Sequence, residues 1–106
     1  MGNAKTKGKT DLVRYWSMYA GEERLNVCHM AILTAILYLG CRQRQIRKIR
    51  VSRSKIMAVS HIGSIPTYHK YFKELQEMGY FKYVPSFHPG VRSEVILNKK
   101  GLSQTG

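Results

Sequence analysis

The sequence SRSKIMAVSHIGSIPTYHKYFKELQEM, residues 52–78, predicts two consecutive helices joined by a short turn. Ser52 and Ser64 are good N-caps, because a serine hydroxyl accepts a hydrogen bond from a free backbone N–H of the first turn. We expect the first helix over residues 53–60 and the second over residues 64–78. The His-Ile-Gly turn between them has the length, and contains the glycine, that a helix-turn-helix requires.

The second helix separates its aromatic side chains from its basic ones. Its apolar side, at helical spacing, consists of Tyr68, Tyr71, Phe72, Leu75 and Met78. We expect these side chains to form core rather than to stack on bases, while the hydroxyl of Tyr68 stays open as a phosphate contact. The first three turns hold His69, Lys70 and Lys73 and no acid. Acidic side chains would suit the positive end of the helix dipole better, so this bias indicates an anionic partner.

Apolar periodicity places further elements on both sides of this helix pair. The expected elements are helices at residues 12–20 and 22–40 and strands at residues 47–51, 80–84 and 91–97. Asp11 is the expected N-cap of the first helix, and Gly40 is expected to end the second, with an extension toward Arg44 left open. The order α-α-β-α-α-β-β predicts a mainly α fold with a small antiparallel β-sheet, and it is the order of a winged helix-turn-helix.

The 106 residues fit one small domain. We expect a disordered basic arm at residues 1–10, a winged-helix DNA-binding domain at residues 11–97 and a flexible tail at residues 98–106. The aromatic residues of the first helix either fold back onto the core or pair with a second copy. Folding back is favoured, and a homodimer stays open as the alternative.

The charge of the chain points to a polyanion. Eighteen Lys and Arg against six Asp and Glu give a formal net charge of +12, and ten of the cations but no acid lie in residues 24–73. Such a uniformly positive region is typical of a nucleic-acid-binding surface. No apolar run is long enough to cross a bilayer, and a membrane-surface role ranks lowest. Whether the arginine-rich residues 42–50 contact DNA or are simply solvated stays open.

The expected partner is double-stranded DNA. The second helix of such a pair enters the major groove, the start of the first crosses the backbone, and the hairpin tip meets the backbone or the minor groove. The predicted DNA contacts are Arg53, Lys55, Ser64, Thr67, His69, Lys70, Lys73, His88 and Arg92.

No catalytic or cofactor-binding pattern is present in the sequence. The four histidines lack metal-ligand spacing, and neither a P-loop nor a dinucleotide fingerprint occurs. We therefore expect no enzyme activity, metal, cofactor or small-molecule ligand. Cys28 and Cys41 have no short spacing between them, which favours free thiols in a reducing cytoplasm over a disulfide.

Residues 64–80 resemble the recognition-helix segment of small winged-helix proteins carried on bacterial mobile elements and accessory gene clusters, and residues 82–97 resemble their wing. The resemblance covers residues 12–97, and its most specific parts are Thr-Tyr-His-Lys at 67–70, Lys-Glu-Leu at 73–75 and Gly-Tyr at 79–80. It implies sequence-specific DNA binding through Ser64, Thr67, His69 and Lys70, by a transcriptional regulator or an excision or replication accessory factor. A winged-helix protein-interaction module and a basic RNA-binding protein are the alternatives.

Overall fold

The computed structural model describes residues 7–98, with their side chains from residue 13 onward. Within these residues the chain is mainly helical, with four helices and a small three-stranded antiparallel sheet. In chain order the elements are α1 (Lys7–Ala20), α2 (Val27–Gln43), β1 (Lys48–Val51), α3 (Arg53–Ser60), α4 (Ile65–Glu77), β2 (Phe81–Val84) and β3 (Ser93–Leu97). The predicted order of elements is confirmed.

Helix α1 begins at Lys7, earlier than predicted, so Asp11 lies inside the helix and is not its N-cap. The last four residues of the predicted disordered arm are therefore helical, while residues 1–6 of that arm and residues 99–106 of the predicted tail lie outside the described residues. Tyr15 and Tyr19 are buried. The indole N–H of Trp16 donates to Thr34 Oγ1 on α2 at 2.9 Å, so the helix folds back onto the core as expected.

Helix α2 begins and ends later than predicted. It starts after Asn26, whose side chain accepts from the backbone N–H of His29, while the His29 ring accepts from the Asn26 N–H. This reciprocal pair is a capping box that uses histidine where Glu or Gln is usual. The helix continues past the buried Gly40 to Gln43 and is capped by the left-handed Arg44. The end at Gly40 is wrong, and the extension toward Arg44 is confirmed.

The sheet has the strand order β1-β3-β2, with both pairings antiparallel. Its inner face packs on α2 through β1 and on α4 through β2. The buried side chains of this face are Ile49, Val51, Phe81, Val95 and Leu97. We call the end of the sheet at Val51, Val84 and Ser93 the tip end, because the loop joining β2 to β3 starts and finishes there. The opposite end, where α2 leads into β1 and α4 leads into β2, is the base end.

Candidate nucleic-acid interface

Helix α4 presents the predicted cations of its first turns to solvent. The hydroxyl of Ser64 accepts from the Thr67 N–H at 3.3 Å, and a proline lies in the first turn, so the helix starts where the sequence predicts. One side of the helix is buried through Tyr68, Phe72 and Leu75. Because side chains three and four positions apart share a face, the opposite side is solvent-facing. His69, Lys70 and Lys73 are exposed there, and Thr67 is half-buried.

Helix α3 presents two further cations at its start. The Ser52 hydroxyl accepts from the Lys55 N–H at 3.2 Å, which fixes the first turn directly after β1 at the tip end. Arg53 and Lys55 are exposed in this turn. His61 then ends α3 in the left-handed conformation, with its N–H donating to the Met57 carbonyl. The predicted turn at residues 61–63 is confirmed, and α4 starts two residues after it.

The phenol of Tyr68 lies where α3, α4 and β2 meet. Burial raises the pKa of Tyr68, the nearby Tyr83 phenol raises it further, and the charge of Arg53 opposes both effects. The ring stacks on Phe72 with centroids 5.1 Å apart, and Phe72 contacts Tyr83 edge-on at 5.2 Å. Tyr68 is only 4% exposed. The prediction that the aromatics of α4 are core is confirmed for Tyr68 and Phe72, while Tyr71 is half-buried against the core.

The loop of residues 85–92 projects from the tip end. Its base is closed by the Ser86 N–H, which donates to Ser93 Oγ at 3.1 Å, and Gly90 has the positive φ of 84° that its final turn needs. His88 and Arg92 are exposed. Phe87 is 87% exposed at the same loop, a feature that sequence reasoning missed although an aromatic residue inside a Pro- and Gly-bounded turn is a visible signal.

Arg53 and Lys55 at the start of α3 and Arg92 of the β2–β3 loop lie at the tip end. Lys70 and Lys73 are exposed on α4, whose residue Tyr68 lies near Arg53. Within the part of the chain that the structure describes, none of these five cations forms an ion pair.

A second feature of α4 that sequence reasoning missed is its polar link to α2. The buried His29 ring accepts from the Asn26 N–H through Nδ1, so the ring hydrogen of the neutral form lies on Nε2. Nε2 is 2.8 Å from Glu74 Oε1. The two residues are 45 positions apart, so only the fold brings this carboxylate to the histidine. The bond ties α4 to the start of α2.

The described residues also bear on metal sites, disulfides and membrane-spanning helices. No group of three or more His, Cys, Asp or Glu side chains there is arranged to hold a metal ion. Cys28 and Cys41 are free thiols. No described helix combines the length and the apolar character needed to cross a membrane.

Comparison with protein-family models, curated protein sequences and solved structures finds no match to this chain. The family resemblance of residues 12–97 stays a prediction, and function is inferred from the geometry of the tip end.

Proposed function

We propose that the protein binds double-stranded DNA as a winged helix. In this proposal α3 and α4 form the helix-turn-helix, and the β2–β3 hairpin with residues 85–92 forms the wing. The element order and the antiparallel strand order β1-β3-β2 support this assignment, because they bring the start of α3 and the hairpin loop to one end of the sheet. Tyr68 of α4 lies near Arg53 at that end.

The observation that carries the proposal is the exposed, unpaired set of cations on the first half of α4 and beside it. A helix fits the major groove, where Ser, Thr, His and Lys side chains meet base edges and phosphates. In this arrangement Thr67 and His69 meet base edges, and Ser64 lies at the very start of the helix. Lys70, Lys73 and the two α3 cations contact phosphates, and His88 and Arg92 of the wing contact the backbone or the minor groove.

The biological role that goes with this proposal is a cytoplasmic transcriptional regulator or a mobile-element accessory factor. It rests on the resemblance of residues 64–97. The DNA sequence that the protein selects distinguishes the two roles. Selection from random duplexes yields a palindrome for a dimeric regulator and a direct repeat for an accessory factor that binds in tandem.

The test is a salt titration of duplex affinity, measured by fluorescence anisotropy. Wild-type protein should bind with an affinity that falls as salt rises. Lys70→Ala and Arg92→Ala should each weaken binding and reduce the log–log salt slope by about 0.9, the contribution of one phosphate contact. Absence of salt-dependent binding to any duplex contradicts the proposal.

Arg24→Ala is the matched control. It also removes one positive charge, but its side chain is paired with Glu22 at 3.1 Å and lies beside Tyr80, at the base end. It should leave the slope unchanged. An equal loss in all three variants would mean that only net charge matters. Preferential displacement by structured RNA would favour the RNA-binding alternative.

A further inference from the structure

A second group of cations lies at the other end of the sheet from the proposed DNA surface. Arg42 is in the last turn of α2, Arg44 caps that helix, Arg47 precedes β1 and Lys48 is its first residue. All four are exposed, and we call them the corner cluster. The Leu97 N–H donates to the Arg47 carbonyl at 3.2 Å, which fixes the cluster at the base end.

The corner that carries this cluster is tightly built. The Gln45 N–H donates to the Gly40 carbonyl at 2.9 Å, and Gly40 leaves no room for a Cβ, since one would lie 2.6 Å from the Gln45 carbonyl oxygen. The Gln43 amide donates to the Arg50 carbonyl at 2.7 Å and accepts from the Arg50 N–H at 2.8 Å. These bonds hold the segment between α2 and β1 against the edge of the sheet, so the backbone that carries the four cations is held in place.

Arg44 occupies a conformation that favours another residue. Its φ of 57° is left-handed, where glycine or asparagine is the usual helix-ending residue. An arginine at this position is costly to the fold, and its guanidinium makes no compensating ion pair within the described chain. A strained residue with an exposed, unpaired charge is typical of functional surfaces.

The local acids do not neutralise the cluster. In the sheet Lys48 is opposite Ile96 of β3, and Ile96 is opposite another cation, Lys82 of β2. The acid of β3, Glu94, is opposite Arg50, which is not part of the cluster. Favourable interaction with the helix dipole accounts for a cation in the last turn of α2, which is Arg42. It does not account for Arg47 and Lys48, which lie beyond the helix.

We propose that the corner cluster is a second phosphate-binding surface, which binds the backbone of a second duplex segment while the tip end holds the first. This inference rests on the proposed duplex binding at the tip end. From Arg47 to Arg53 the chain advances roughly 20 Å at about 3.3 Å per residue. The two surfaces lie at opposite ends of β1, so a duplex whose axis crosses the tip end at right angles to the strands does not reach the corner cluster. Arginine forks match phosphate oxygens, and three of the four side chains are arginine.

The second segment is either a flank of the same bent DNA or a separate duplex. The protein would bend DNA around itself in the first case and bridge two molecules in the second. A bead-bound duplex of about 15 base pairs, roughly one and a half helical turns, offers the tip end one site and no flank. Capture of a second, fluorescent duplex then reports bridging, and the salt slope on a free duplex several turns longer reports wrapping.

The test variant is Arg44→Asn/Arg47→Gln/Lys48→Gln, because asparagine suits the left-handed position and the glutamines keep the polar surface. It should bind the short duplex with the wild-type salt slope. If the protein bridges two duplexes, the variant should capture about tenfold less of the second duplex. If it bends one duplex, the log–log salt slope on the long duplex should fall by about 2.7, which is three phosphate contacts at 0.9 each. Arg24→Gln should behave as wild type in both assays, and Lys70→Ala should weaken binding of the short duplex.

The outcomes separate this inference from the proposed function. Wild-type binding to the short duplex, with neither capture nor a steeper slope on long DNA, overturns the corner cluster and leaves the proposed function standing. Capture that persists in the triple variant also overturns it, and indicates bridging by a dimer. If polyglutamate, but no second duplex, binds the cluster, the partner is an acidic protein and the inference is wrong. If no duplex binds at all, both proposals fail.

Discussion

Replacing Gly40 by alanine tests whether the α2–β1 corner is as tightly packed as the structure shows. In a helix interior alanine is favoured over glycine by about 1 kcal/mol, so propensity alone predicts stabilisation. At Gly40, however, the added Cβ would lie 2.6 Å from the Gln45 carbonyl oxygen and 2.8 Å from Ile49 Cδ1. The nearer of these atoms is backbone and cannot rotate away.

Relief of this contact requires Gln45 to move, although its N–H donates to the Gly40 carbonyl. Overpacking costs about 1–3 kcal/mol and a lost hydrogen bond costs about 1 kcal/mol. After subtraction of about 1 kcal/mol for helix propensity, Gly40→Ala should lower the free energy of unfolding by about 1–3 kcal/mol. Urea denaturation followed by the fluorescence of Trp16, the single tryptophan, measures this change.

Gly63→Ala is the matched control for this substitution. A Cβ added at Gly63 would meet no atom within 4 Å, and the φ of this glycine is not positive. Alanine there should therefore be neutral or stabilising by about 0.4–1 kcal/mol. A Gly40→Ala protein as stable as the wild type would refute the close packing at the corner.

Two further substitutions should stabilise the fold. Arg44→Gly relieves the left-handed strain and should raise the free energy of unfolding by about 1 kcal/mol. Thermal denaturation measures this change, and a lower melting temperature would show that contacts within the chain stabilise the arginine. Tyr19→Phe removes a buried hydroxyl that has no hydrogen-bond partner, and should be neutral or stabilising by up to about 1 kcal/mol. Burial raises the pKa of Tyr19 above its ordinary value of 10.0, so the unfolded chain loses this proton first and the free energy of unfolding should fall as pH rises above 10.0. Urea denaturation at several pH values should show a shallower fall for Tyr19→Phe than for the wild type. An equal fall in both proteins would contradict the burial of this hydroxyl.

The elements that the sequence predicted well are those with local end signals. Ser52 and Ser64 cap their helices by accepting from N–H groups three residues ahead, so the start of α3 and of α4 depends on neighbours in the chain. The start of helix α2 was misplaced, and its end lies at the extension that was left open rather than at Gly40. Its capping box uses His29 in place of the usual acid or amide, and Gly40 is required by packing against Ile49 of β1. Contacts of that kind are not encoded in local sequence.

The candidate site divides in the same way. Helical periodicity was enough to predict which side chains of α4 are buried and which are exposed, since one face must pack on the core. The link between His29 and Glu74 joins residues 45 positions apart and needed the fold. The corner cluster was visible only as an arginine-rich run, because the tie from Gln43 to Arg50 and the left-handed Arg44 appear only in three dimensions.

The His29–Glu74 bond also bears on why the cations of α4 are free. Lys70 and Glu74 are four residues apart, a spacing at which opposite charges can pair along a helix, though the order Lys before Glu is the weaker one. Glu74 Oε1 instead lies 2.8 Å from the His29 ring. The Lys70 ammonium lies 5.1 Å from the centre of the Tyr71 ring, a contact that leaves its charge unneutralised. The acid that could have paired with this lysine anchors α4 to the core, so one interaction both orients the helix and preserves the positive charge on which the proposed DNA contact depends.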